Sequence, residues 1–332
     1  MDRKKVVVLA GDGVGPEVTR ASVAVLKAVC NDLDFVDADI GMSSFEQREE
    51  YLPRETLDKI DRADAILFGA VTHPENDKTY RNPIITLRKQ LELYADVRHI
   101  FTIADGLGTP GIDIILVREN DYGSANLRES EDLDGVTTTE RIDVSEFSRV
   151  CRTARRVSEY HKRKKITCIH KQDIHKKSGE LVLNTFYDSM KGSFVAADDE
   201  LIDEVIINLI RRPSDFDVMV GTGFFSDMIF SVMSTMAGGR HVLPSGSIGD
   251  GVCIFEPMHG ALMEMAGKNV VNPVSSILSG YMLLSTLGKE KEAQKIRNSV
   301  QKVLSQGGLT ADLGGNLSTT EFTEKVIKLC SR

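Results

Sequence analysis

Six side chains stand out for their type and their placement in the sequence. Asp203 and Asp227 lie in LIDEVIINLIRRPSDFDVMVGTGFFSDMIFS, the run from Leu201 to Ser231. Arg88, Arg98 and Arg118 fall at or near the ends of predicted elements, in a chain whose formal net charge is -8. A guanidinium can grip a carboxylate through two parallel hydrogen bonds, so three arginines so placed point to a carboxylate clamp. Lys171 follows a buried strand, where desolvation would disfavour its charged form and suit it to proton transfer. The plainer readings are a surface lysine beside Lys162, Lys164, Lys165, Lys176 and Lys177, and a solvated strand-helix corner for the two acids. The chemistry on offer is an anion gripped by arginines and worked on by a lysine. The residues alone do not identify what the two acids would meet.

Apolar periodicity supplies the elements that must position these groups. Leu201, Val205, Ile206 and Leu209 repeat at helical spacing, the helix stops at Arg212-Pro213, and Phe216 to Val220 restarts as a strand that delivers Asp227 just past a Gly-rich turn. Residues 84 to 98 read as a helix running into a strand near Val97, and IDIILV is a strand ending at Arg118. A helix over Ser145 to Lys162 leads to a strand, Lys165 to Ile169, and then to His170-Lys171-Gln172-Asp173. Near the amino end a buried strand, Lys5 to Ala10, runs through GDGVGPE into a helix. That glycine spacing is not G-x-G-x-x-G, and proline occupies the first helical turn, so the segment reads as a tight strand-to-helix turn rather than a dinucleotide fingerprint. Ala63 to Val71 is a further buried strand, Val274 to Leu287 an apolar core or dimer helix, and Ser318 opens a capping-box-like start.

Length and composition bound the rest. At 332 residues the chain exceeds the usual size of one core, roughly 250 to 300 residues, so two domains are expected. The acidic balance leaves no general footprint for nucleic acid or an anionic membrane. Five scattered cysteines without a Cys-x-x-Cys pair read as reduced core thiols rather than a disulfide or zinc framework. The apolar run after MDRKK is too short for a signal peptide or membrane span, and the expectation is a soluble, cytoplasmic protein.

Taken together, GDGVGPEV, LRKQLELYADVR, VREN, HKQD, RRPSDFDV with its following SD, EPMHG, AGKNVVNP and ADLGG stand in an order and spacing that resemble the β-decarboxylating dehydrogenases of (2R,3S)-hydroxyacids. That family includes isopropylmalate, isocitrate, homoisocitrate and tartrate/malate dehydrogenases, and the chain looks like a divergent member. The resemblance implies an α/β, isopropylmalate dehydrogenase-like two-domain fold, not a Rossmann fold. Residues 1–99 and 254–332 would form the large, cofactor-side domain. Residues 100–253 would form the small one, with a dimer arm near 122–139. It further implies a homodimer with shared active sites and a small hydroxy di- or tricarboxylate substrate.

Roles follow from the same resemblance. Arg88, Arg98 and Arg118 would hold the malate carboxylates, and Lys171 would assist removal of the hydroxyl proton from across the dimer. Asp203, also from the partner, and Asp227 would bind Mg2+ or Mn2+. His259, Gly260, Asn272 and Glu256 would lie on the cofactor side, with Glu264 favouring NAD over its 2'-phosphorylated form. Asn82, Ile84 and Ile85 stand where relatives recognise the 3-substituent, although Arg81 replaces an expected glutamate. The pattern is broken elsewhere too. Ala125 holds the position of the enolate-protonating tyrosine, for which Tyr122 is the nearby substitute. Asp173 replaces an asparagine, Gly223-Phe224 replaces Asn-Leu, and Ser231 replaces a second metal carboxylate. Two readings stay open: NAD-dependent oxidative decarboxylation of a 3-substituted malate, or a catalytically impaired or regulatory paralogue that keeps the fold and its ligands.

Overall fold

A computed structural model describes residues 3–74, 80–120 and 127–331. The chain divides into two compact units. One comprises Met1–Leu87, Thr102–Pro110 and Ser234–Arg332, and the other Arg88–Phe101 and Gly111–Met233. The expected break at residue 99 lies inside the strand Ala95–Phe101 of the second unit. The break at 253 falls at the start of the strand Cys253–Pro257 of the first.

In the first unit the strands run in the order Leu33–Ala38, Lys4–Gly11, Ala65–Ala70, Cys253–Pro257, Pro244–Ile248. All neighbours are parallel except the last pair. Central strands covered on both faces need no polar alternation, and Ala65–Ala70 is buried at every position. The helices Gly15–Val29, Val274–Thr286, Glu290–Ser305 and Thr319–Cys330 pack against one another. Every residue from Val274 to Ser285 is buried, making this a core helix. Helix Thr319–Cys330 starts at a true capping box between Ser318 and Glu321.

The turn GDGVG is a structural clasp. Gly11 and Gly13 have φ of 69° and 59°, and a Cβ on either would come within 1.9 Å of the carbonyl oxygen of Ala70 or Ala261. Buried Asp12 between them accepts the backbone N–H groups of Met42, Ser43 and Thr72 at 2.8–2.9 Å. Its carboxylate is committed to fixing loops, consistent with a turn that is not a dinucleotide fingerprint.

The second unit carries the strands Ala95–Phe101, Asp113–Glu119, Val218–Gly221, Lys165–His170 and Ala196–Leu201, adjacent in that order. The first two are antiparallel and the rest parallel. Helix Val144–Tyr160, capped by the Asp143 carboxylate, packs on helix Lys176–Met190. Within the 122–139 segment, the described part includes most of an antiparallel hairpin, Leu127–Glu131 with Val136–Glu140, whose second strand is exposed throughout. All five cysteines are buried and free.

Candidate active site

Sheet register assembles the arginines. Asp96 lies directly opposite Arg118 in the antiparallel pair, and Arg98 follows two residues later on the same face. Asp96 Oδ2 therefore accepts Nε of Arg98 at 2.9 Å, Nη2 of Arg98 at 2.7 Å and Nε of Arg118 at 2.8 Å. Asp96 and Arg98 are each only 4% exposed. The Arg98 guanidinium also lies over the Phe230 ring, 4.0 Å from its centroid, and Nη1 reaches Asp227 Oδ1 at 3.3 Å.

Burial pushes the Asp96 carboxyl upward, but the charges of Arg98, Arg118 and Arg88 outweigh it, and the group is held well below the usual carboxylate range. Burial lowers the Arg98 guanidinium somewhat, against the opposing pull of Asp96. Arg118 bonds Asp96 through Nε, and neither of its Nη groups hydrogen-bonds the protein among the described residues. A two-pronged donor thus stands ready for a carboxylate.

Asp227, expected just past a Gly-rich turn, sits on the helix Gly223–Met236. The turn after strand Val218–Gly221 is short, Ser226 N–H already bonds the Thr222 carbonyl, and Ile229, Phe230 and Met233 bury one face of the helix. Ser231, one turn on, donates to the Asp227 carbonyl at 3.1 Å.

A second cluster gathers at the end of strand Lys165–His170. Lys171 Nζ pairs with Asp203, in the first turn of helix Ile202–Arg211, and with Asp173 Oδ2 at 3.0 Å. These contacts overturn the expectation of a desolvated, weakly basic lysine. The hydrogen bonds it donates to Asp203 and then Asp173 raise its pKa above the ordinary ammonium value. The preceding His170 is held through Nε2 by Asp199 at 3.0 Å and accepts Gln172 N–H through Nδ1.

The proposed metal ligands suit a hard cation in kind, since both offer carboxylate oxygen, but not in number within one chain. Asp203 is engaged by Lys171 and Asp227 by Arg98. Among the described residues no group of three His, Cys, Asp or Glu side chains could hold a metal.

The cofactor candidates belong to the first unit. His259 Nδ1 lies 3.0 Å from the Gly260 carbonyl, so this nitrogen carries the proton. Nε2 is buried without a hydrogen-bond partner among the described residues, and burial lowers the imidazole pKa. A neutral ring with a spare acceptor fits an adenosine hydroxyl or amino group. Asn272 donates to Asp312 Oδ2 at 2.9 Å and accepts Val274 N–H. Asp312 also takes the Thr310 hydroxyl at 2.5 Å and lies 3.2 Å from His241 Nε2. Glu264 is exposed in the short turn Met263–Met265, whereas Glu256 is buried beside Ser247 at 3.4 Å.

Of the remaining candidates, Asn82 accepts Ile84 N–H at 3.1 Å, Ile84 is buried and Ile85 half-buried. Tyr122 lies outside the described residues. Asp96 and Asp312 were not singled out from sequence. Each stands inside a motif recognised for other residues, YADVR and ADLGG, and the available signal for Asp96 was its two-residue spacing from Arg98 on one strand face.

The buried arginine set of the second unit can take an anionic ligand, and the His259 ring of the first unit keeps a nitrogen able to accept a hydrogen bond. Residues 5–326 match the family described as isocitrate/isopropylmalate dehydrogenase, and the chain belongs to that family. It is 35% identical to the homoisocitrate dehydrogenase of Methanocaldococcus jannaschii, covering 97% of this chain and 96% of that protein. It is 34% identical to the 3-isopropylmalate dehydrogenase of Archaeoglobus fulgidus, covering 98% and 99% respectively. A solved β-decarboxylating dehydrogenase from Thermococcus kodakarensis superposes with a TM-score of 0.90 at 33% identity, over 98% of this chain and 96% of that one. The two-domain dehydrogenase fold inferred from the motifs is therefore correct. Among the described residues no helix is long and apolar enough to cross a membrane.

Proposed function

We propose that the protein catalyses NAD-dependent oxidative decarboxylation of a 3-substituted malate, either 3-isopropylmalate-like or isocitrate/homoisocitrate-like. The single observation that carries this reading is the arginine set on Asp96, with the Nη pair of Arg118 available to a carboxylate. Arg88, Arg98 and Arg118 would hold the substrate carboxylates and fix the hydroxyl-bearing carbon. Lys171 would assist removal of the hydroxyl proton once its pairing with Asp203 and Asp173 opens. NAD, when bound, supplies the hydride acceptor. Loss of the 3-carboxylate as CO2 leaves an enolate, and Tyr122 is assigned on sequence alone to return a proton to it.

His259, Gly260, Asn272, Glu264 and Glu256 would serve the cofactor. An Mg2+ or Mn2+ ion would need Asp227 of one chain and Asp203 of a second copy, because one chain does not gather enough carboxylates. A homodimer is consistent with apolar side chains left exposed on two helices: Ile207 and Ile210 on Ile202–Arg211, Phe224 and Met228 on Gly223–Met236.

The test is NADH formation by purified protein with 3-isopropylmalate, isocitrate, homoisocitrate, malate and tartrate, with and without Mg2+ or Mn2+, and with NADP in parallel. Turnover of a 3-substituted malate with NAD is expected. Silence across the panel, with ligand binding retained, would instead establish the impaired or regulatory paralogue.

A further inference from the structure

Lys171 is preceded by a residue whose hydrogen bonds reach well beyond its own turn. His170 is 7% exposed, and both of its ring nitrogens are spent on the protein. Nδ1 accepts the Gln172 N–H at 3.2 Å, so the proton sits on Nε2, which donates to Asp199 Oδ2 at 3.0 Å. The other oxygen of Asp199 accepts the Tyr187 hydroxyl. We propose that Tyr187, Asp199 and His170 form a strut that places Lys171 and Asp203 as a pair, which makes His170 a positioning residue for the proton transfer assigned to Lys171.

The proposal rests on that assignment and deepens it. Sheet register builds the strut. Strands Lys165–His170 and Ala196–Leu201 are parallel, with Cys168 beside Asp199 and His170 beside Leu201. Side chains two residues apart share a face, so His170 and Asp199 point the same way and meet diagonally. Each strand then delivers one member of the pair. Lys171 follows the first directly, and the second runs straight into helix Ile202–Arg211, whose first turn holds Asp203. The bond between His170 and Asp199 therefore fixes the separation of the two strand ends from which Lys171 and Asp203 depart.

The backbone of Lys171 is held from both sides. His170 comes before it and the Gln172 N–H after it, so one imidazole brackets the residue. Its carbonyl accepts the N–H groups of Ile174 at 3.2 Å and His175 at 2.8 Å. Helix Lys176–Met190, which carries Tyr187, presses on the same turn: a Cβ on Gly179 would lie 2.6 Å from Gln172 Cα. Only the base of the lysine is fixed in this way. Because Nζ must leave Asp203 and Asp173 to take a proton, the aim of the amine then depends on that anchored base. A misplacement of about 1 Å is enough to cost on the order of 10²-fold in rate. Nδ1 is closed off by a backbone donor, so the strut acts by position and not by passing a proton along.

The test is steady-state NADH formation with whichever of 3-isopropylmalate, isocitrate and homoisocitrate the natural protein turns over fastest. His170→Phe keeps a buried ring and removes both bonds. Its kcat should fall about 10- to 100-fold, with KM for the hydroxyacid changed less than about twofold, since the arginines lie on other strands. Tyr187 is partly exposed, and Tyr187→Phe, which loses one hydroxyl, should lower kcat about threefold to tenfold. His170→Gln, whose amide can still donate to Asp199, should recover part of the loss. The deciding measurement repeats His170→Phe and Tyr187→Phe in a Lys171→Met background. A residue that acts through Lys171 has nothing left to position there, so each change should add less than about twofold, whereas general damage to the fold would multiply. Losses that multiply overturn the proposal, and so does a loss confined to KM. An unchanged kcat in His170→Phe also overturns it, or in Tyr187→Phe should His170→Phe not fold. In each of these cases the natural protein still turns over and the decarboxylase reading stands. A natural protein silent with every substrate would defeat that reading and the role of the strut with it.

Discussion

Asp96 and Asp203 are both carboxylates paired with cations in the same structural unit, yet one is 4% exposed and the side chain of the other is 62% exposed. Asp96 is locked by strand register between two arginines, in a setting where separating the charges would strand them away from water. Asp203 meets Lys171 at the start of a helix, where solvent can replace either partner. The contrast teaches which part of the site is preformed and which must rearrange. On the proposed function, the arginine set would be built before substrate arrives, while Lys171, held charged by its carboxylate partners, would have to leave them in order to take a proton.

The most forceful way to break this comparison is Asp96→Ala. It leaves Arg98 buried without its counter-charge, and stability should fall by about 3–5 kcal/mol in urea unfolding. The pH dependence carries the same signature. Because the folded-state pKa of Asp96 is depressed, its contribution is complete above the ordinary unfolded carboxyl value, roughly 4, and is lost as pH falls toward the folded value. The natural protein should therefore lose stability in acid more steeply than Asp96→Ala. A cost under about 1 kcal/mol, the range of exposed pairs, would erase the distinction between the clusters. Lys171→Met addresses the other cluster. Turnover should drop on the order of 10²–10⁴-fold, as for loss of a general acid-base group, with the unfolding midpoint nearly unchanged. A large fall in stability would show that Lys171 is as structural as Asp96.

The elements that hold these clusters were legible because burial writes itself into composition. Runs such as VVVLA, AILFGA and DIILV are apolar at nearly every position, and the capping box at Ser318 and Glu321 is a local pattern. Arg88, Arg98, Arg118, Lys171, Asp203 and Asp227 could be picked out as candidates because charged residues at element ends are conspicuous and fall in ordered motifs. Asp96 was not, since its meaning depends on which residue faces it across the sheet, and the Asp96–Arg118 register is a non-local fact. The raised pKa of Lys171 escaped for the same reason: Asp203 is 32 residues away in sequence, and strand ends alone suggested desolvation. That Asp227 lies on a helix was not read from the sequence, because a glycine-rich turn conceals how soon the next helix starts.

Ser231 offers the smallest effect and tests the comparison from its exposed side. It lies one helical turn beyond Asp227 and bonds the Asp227 carbonyl, so a carboxylate at this position would stand on the same helix face as Asp227. Hard cations gain affinity with each added carboxylate, and Ser231 is only partly buried beside the exposed Asp227. Ser231→Asp should therefore lower the Mg2+ or Mn2+ concentration for half-maximal NADH formation by about threefold to tenfold. Thermal unfolding without metal should change little. Asp96 does not share this freedom, because any change of charge there is felt by two guanidiniums in a water-poor setting. An unaltered metal requirement in Ser231→Asp would place the cation away from this face of the Gly223–Met236 helix and remove Asp227 from its ligands.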